Sequence, residues 1–188
     1  MSHAADRVPL RDTPRLYGTV TRALHWAMAA LILWQFAGMA LREIFGRQPW
    51  LSPIVGSHAP VGTILFVLVL LRALWALANR RNRPAHGGGL LGRAAAAGHA
   101  LLYLLMLAVP ALGLLRAWGS DRGFAPFGIP LFAPKSPEVA WTDALAGALH
   151  GELAWLLLAL IAGHVVMVGI HQAMWRDGTL ARMAGRRG

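Results

Sequence analysis

The chain has 188 residues, of which 56% are hydrophobic and only 14% charged, and it contains no cysteine. This composition, with a mean hydropathy of +0.50, describes a small integral membrane protein of about four spans; the missing thiols exclude disulfides, CxxCH haem attachment and cysteine-held iron–sulfur clusters. The net charge of +10 does not mark a nucleic-acid binder, because the arginines flank apolar runs instead of forming one basic block.

Residues 1–19 form a polar arm with Arg7, Arg11 and Arg15, expected to be flexible as far as Pro14 and interfacial around Tyr17. The apolar run that follows is too long for a signal-peptide core and lacks a clear cleavage site, so it reads as a retained helix. This first helix is predicted over 20–41, with Thr19 and Thr21 as candidate caps, Arg22 within reach of headgroups, and His25 beside Trp26. The link to Gly56 carries Pro49, Trp50 and Pro53 and suits a short interfacial loop. A second helix over 57–78 opens with His58 and has Arg72 fourteen residues later on the same face. After the basic, glycine-rich linker 79–93, a third helix over 94–115 opens on four alanines and Gly98, permitting close approach of another helix or a flat ring, with His99 next. Pro110 is a candidate kink. The long link 116–143 holds four prolines among Phe124, Phe127, Ile129, Leu131 and Phe132, and is expected to fold over the end of the bundle with a short interfacial helix. A fourth helix over 144–175 carries His150, His164 and His171, before a basic tail. The expected fold is an all-α, single-domain bundle of four transmembrane helices.

Counting basic residues by side gives thirteen with the arm and Arg22, the second link and Arg72, and the tail, against Arg42, Arg47, Arg116, Arg122 and Lys135 on the other. By the positive-inside rule both termini are cytoplasmic. That orientation sorts the histidines by depth. His150 and His164 are fourteen residues apart, so they leave one helix face with roughly 21 Å of axis between them. His58 and His150 fall in an outer layer, His25 and His164 in an inner one, and His99 and His171 are extra inner groups. His3 and His86 lie in polar segments and receive no role. Imidazole is seldom kept in hydrocarbon without a partner. Two neutral imidazoles on opposite faces of a porphyrin fill both axial positions and leave iron able to pass electrons but not to bind oxygen. Zinc is the competing reading, with few carboxylates and no thiolates to complete its sites.

The chain resembles the bacterial cytochrome b561 family over nearly its whole length. The resemblance is carried by Tyr17, Thr21, His25 and Trp26, by His58, by Gly98, His99 and Tyr103, and above all by His150, His164, His171 and the run from Trp175 to Met183. It implies a four-helix bundle of the bacterial inner membrane with two b-type haems, ligated by His25, His58, His150 and His164. It also implies transfer of electrons from periplasmic superoxide to ubiquinone, a superoxide:ubiquinone oxidoreductase that requires no partner protein. Within that reading, Arg72 is a candidate for a haem propionate or a quinone oxygen, the alternative being an arginine that snorkels to headgroups. Arg80, His99, His171 and Trp175 are quinone or propionate candidates at the inner rim. Tyr103 could orient His99, and Glu152 could pair with an arginine. Arg116 and Lys135 are candidates for steering superoxide at the outer mouth. Two other functions fit less of the pattern: a membrane subunit fed by a partner dehydrogenase or hydrogenase, and a haem-free metal transporter lined by histidines.

Overall fold

The structure is a computed structural model, and it describes residues 9–84 and 87–185. His3, Arg7, His86, Arg186 and Arg187 lie outside the described residues. Among the described residues, four helices are long and apolar enough to cross a membrane. They are α1 (Thr19–Phe45), α3 (His58–Ala78, entered through the short α2, Ser52–Gly56), α4 (Gly89–Gly119) and α5 (Ala140–Ile170). A five-residue π turn, His171–Trp175, ends α5, and α6 (Thr179–Ala184) follows. The spanning helices exceed the apolar windows at several ends. Hydropathy marks the hydrocarbon band, whereas a helix satisfies its own backbone groups and continues past that band into the headgroups. Pro110 lies inside the uninterrupted α4.

The helices run up and down, each packed on its chain neighbour: α1 on α3, α3 on α4 and α4 on α5. No comparable packing joins α5 to α1 or to α3 among the described residues. Met28, Leu65 and Val69 form a small core, with Leu31, Ile32, Val61, Leu68, Met106 and Leu107 against it. Many large apolar side chains of the spanning helices, Leu33, Leu74, Leu104 and Val165 among them, are exposed, as a surface in lipid requires.

The described part of the N-terminal arm folds back on the start of α1, with the Thr19 N–H donating to the Pro9 carbonyl oxygen at 2.9 Å, where flexibility as far as Pro14 was expected. Asp12 is buried; its carboxylate accepts from the Gly18 backbone at 2.9 Å and from Arg83 Nε at 3.0 Å. The arm folds so closely over Gly18 that a Cβ there would collide with the backbone of Leu10 and Arg11. Thr19 and Thr21 do not cap α1, which has no side-chain cap bond. Thr21 instead accepts from Trp75 Nε1 at 2.9 Å, joining α1 to α3. Arg83 also stands over the Tyr17 ring at 5.7 Å; burial pushes the Tyr17 phenol above its ordinary pKa, with Arg83 opposing.

At the far end, the long link is a hairpin rather than a helix. Phe124 and Phe132 bridge and stack at 6.3 Å around a 3-10 turn, Pro126–Gly128. The hairpin leans on α3, where Pro126, Phe127, Ile129 and Leu131 line an apolar groove with Thr63, Ile64, Val67 and Leu68. Gly119 closes the α4–α5 corner, since a side chain there would collide with buried Thr142.

Candidate functional site

Histidine pairs cross the gaps that helix packing leaves open. Toward the end away from the termini, His58 of α3 and His150 of α5 face each other with ring centroids 5.9 Å apart. In the terminal half, His25 of α1 and His164 of α5 are 6.4 Å apart. His99 of α4 joins that second layer at 5.5 Å from His164. A linear imidazole–metal–imidazole unit with bonds of about 2 Å puts the centroids about 6 Å apart, so each layer has the spacing of a doubly ligated metal. Both gaps lie between helices that do not pack on each other, where a flat group can enter edge-on. Zinc fits less well: among the described residues no group of three or more His, Asp or Glu is placed to hold a metal ion.

The surroundings fix the orientation of these rings. His150 Nδ1 lies 2.9 Å from the Val109 carbonyl oxygen, which commits that nitrogen as a donor and leaves Nε2 as the lone-pair nitrogen. Gly113 gives the ring its room, because a Cβ there would sit 3.4 Å from His150 Cε1. His99 Nδ1 is set in the same way, 2.7 Å from the Ala95 carbonyl oxygen. His58 is positioned through its backbone, whose carbonyl accepts from Gln35 Nε2 at 2.9 Å; Trp34 Nε1 donates to Ser57 Oγ beside it. His58 Nδ1 is buried with no hydrogen-bond partner on the protein. Neither Gln35 nor Trp34 stood out in the sequence; the one signal was a lone glutamine in an apolar run.

Arg72 does not snorkel away. Its Nε donates to Tyr103 OH at 3.0 Å, tying α3 to α4, while NH1 is buried and unpartnered. Tyr103 thus serves Arg72 and not His99. A buried guanidinium nitrogen without an acceptor is costly, and its chemistry suits an anionic or carbonyl oxygen arriving with a ligand.

At the terminal rim, His171 opens the π turn, and its ring stands edge-on to Trp175 at 4.5 Å. His171 Nδ1 is 2.6 Å from Asp177 Oδ2, a partner that sequence reading passed over although the run Asp177-Gly178-Thr179 is a turn signature. Arg80 is exposed in a 3-10 turn, with no hydrogen bond or ion pair to His171 or Trp175.

At the opposite end, Arg116 is ion-paired with Asp143 at 2.6 Å, and Lys135 lies over the Trp118 ring at 4.9 Å. Arg122 is near Asp121 at 3.9 Å. Arg42 and Arg47 line a cavity of about 210 Å³ with Gly46, Gln48, Leu51, Ser52 and Val55. Among the described residues no carboxylate pairs with Arg42, Arg47 or Lys135. Glu152 is exposed and has no ion pair among them.

Comparison with known proteins gives the family. The sequence model of prokaryotic cytochrome b561 matches residues 16–186. The chain is 31% identical over 178 residues to Cytochrome b561 homolog 2 of Escherichia coli (strain K12), covering 93% of this chain and 94% of that one. It is 32% identical over 174 residues to Cytochrome b562 of Cereibacter sphaeroides, covering 89% and 94%. It is 26% identical over 171 residues to a protein of Yersinia pestis described as Probable superoxide oxidase CybB, again covering 89% and 94%. With apolar helices that span, histidines that face across the bundle, and a match over almost the full length, the chain belongs to the prokaryotic cytochrome b561 family of b-type haem, membrane electron-transfer proteins.

Proposed function

We propose that this protein oxidises superoxide at the bundle end away from its termini and reduces ubiquinone at the terminal end, with two b-type haems between them. The observation that carries this reading is the pair of histidine layers, His58 with His150 and His25 with His164, in opposite halves of one bundle. His58 with His150, and His25 with His164, would each hold a b-type haem, which would supply one-electron exchange. His150 holds its ligating tautomer through the Val109 carbonyl, and Arg72 offers its unpartnered NH1 to a propionate or to a quinone oxygen. His99 lies in the same layer, within ring contact of His164. The clustering of basic residues on one side supports a cytoplasmic terminal end and a superoxide side in the periplasm.

Superoxide is a small anion, and what attracts it is local positive potential. Arg116 is partly neutralised by Asp143, which shifts that task toward Lys135, Arg42 and Arg47. The likeness to the Yersinia pestis protein described as a probable superoxide oxidase supports this choice of donor. The reaction balances: two superoxide ions each lose one electron to give two molecules of oxygen, and one quinone takes those electrons and two protons to give quinol. The test is superoxide consumption by the purified, haem-loaded protein with and without ubiquinone. The expected result is consumption faster than spontaneous dismutation, with one quinol formed per two superoxide ions. Haem that is reducible by other donors but indifferent to superoxide refutes the reading.

A further inference from the structure

The contacts around His171 include a group that the reading above leaves unused. Asp177 aims its two carboxylate oxygens differently. Oδ1 accepts from the Thr179 hydroxyl at 2.7 Å and from the Thr179 backbone at 3.0 Å, while Oδ2 lies 2.6 Å from His171 Nδ1. Arg182 secures the turn by donating to the Asp177 carbonyl oxygen at 3.0 Å. The chain reaches this geometry through a π turn followed by left-handed Arg176 (φ 50°) and Gly178 (φ 74°). Backbone conformations this uncommon persist only when their surroundings hold them, and π turns recur at functional sites.

We propose that Asp177 is the positioning residue for proton delivery to quinone: it holds His171 as the Nδ1–H tautomer and leaves Nε2 to serve the substrate. The inference rests on the quinone-reducing function proposed above. An ionised carboxylate only accepts hydrogen bonds, so Nδ1 must be the donor; Nε2 is then a lone pair in the neutral ring and an N–H in the charged one. For one of the two protons that quinone takes up, the His171 Nε2–H bond breaks as an O–H bond forms at a quinone oxygen. The electrons come from the haem side and originate in superoxide. His171 is left neutral with Nδ1–H still bound to Asp177, and water returns a proton to Nε2. Asp177 stays ionised throughout, its carboxyl held down to about 2, chiefly by the Thr179 hydroxyl with a smaller share from His171. Among the described residues, the other charged groups on or against this tail are Arg176, Arg182 and Arg22 of α1. Arg22 is committed to the carbonyl oxygens of Met183 and Ala184 at 3.1 and 2.8 Å.

The experiment uses the haem-loaded protein in detergent and two readouts. Nitrogen NMR of labelled histidine, assigned by difference with His171→Gln, reports the tautomer of His171. Quinone reduction with a short-chain ubiquinone and a chemical reductant, followed against pH, reports delivery. Asp177→Asn keeps an acceptor for Thr179 and removes the charge. It is expected to mix the Nδ1–H and Nε2–H tautomers of His171 and to slow quinone reduction about tenfold. Asp177→Glu restores both. In a His171→Gln background Asp177→Asn has no further effect. The same tautomer in Asp177→Asn as in wild type overturns the proposal, as does an unchanged rate of quinone reduction once the tautomers are mixed. If the NMR behaves as expected but wild-type protein reduces no quinone, the quinone reading fails and takes the delivery step with it, while the carboxylate-held tautomer stands.

Discussion

Removing the Asp12 carboxylate is expected to cost about 3 kcal/mol. Asp12 has a fully buried side chain and makes two bonds, to Arg83 Nε at 3.0 Å and to the Gly18 N–H at 2.9 Å. A hydrogen bond to a charged group contributes about 1.5–3 kcal/mol, and a buried N–H left unpaired costs about 1–3 kcal/mol. The Arg83 side chain is 23% exposed and turns to water when released, so its share belongs at the lower limit. The Gly18 N–H cannot do the same, because the arm closes over it. Asp12→Ala is therefore expected to lose both terms. Asp12→Asn keeps an acceptor for Gly18 and loses about 1.5 kcal/mol. At a sensitivity of about 2–4 °C per kcal/mol for a chain of this size, Asp12→Ala lowers Tm by about 6–12 °C. Arg83→Ala should cost more than Asp12→Asn, since it leaves a carboxylate buried beside one donor. Thermal unfolding in detergent checks the order. If only the arm detaches, Tm holds but trypsin cuts at exposed Arg15 roughly a hundredfold faster. An Asp12→Ala chain unchanged in both Tm and cleavage refutes the reasoning.

Other outcomes follow from the same geometry. His58→Ala or His150→Ala should halve the haem content and spare the layer near the termini, and His25→Ala or His164→Ala should do the converse; quantitative haem assay and spectra check this. Because His99 approaches His164 more closely than His25 does, loss of a haem in His99→Ala but not in His25→Ala would reassign that layer. Lys135→Gln should lower the second-order rate with superoxide and flatten its dependence on salt, whereas Arg116→Gln, already paired with Asp143, should change it less. The tail should respond to acid in one direction. Asp177 has a depressed carboxyl pKa, so its stabilising contribution is complete above the ordinary carboxylate value of about 4 and fades as pH falls through about 2. Hydrogen exchange of α6 amides, read at each pH as protection relative to an unfolded chain, is the corresponding measurement, with protection kept near neutrality and lost only below about pH 4.

Much of the functional core is written in one-dimensional features. The apolar runs set four spans, and a histidine's distance from the end of its run sets its depth. The 3.6-residue period puts His150 and His164 on one stripe. Reversal of direction at each link then pairs His58 with His150 and His25 with His164 by depth alone, and the structure brings both pairs within 6.4 Å. What those features do not contain is how far each helix is turned about its own axis against its neighbours. That rotation is settled by packing among all the helices at once. It brings His99 beside His164, gives Tyr103 to Arg72 instead of His99, and turns Thr21 from a cap into the acceptor for Trp75. The same holds outside the membrane, where no periodicity guides the chain. Asp12 meets Arg83 across 71 positions, Arg116 meets Asp143 across 27, and Asp177 reaches His171 only because a π turn and two left-handed residues bend the chain back. Depth and helix face are local properties of a span, legible residue by residue; partners across a bundle depend on every helix together, and only the tertiary structure decided them.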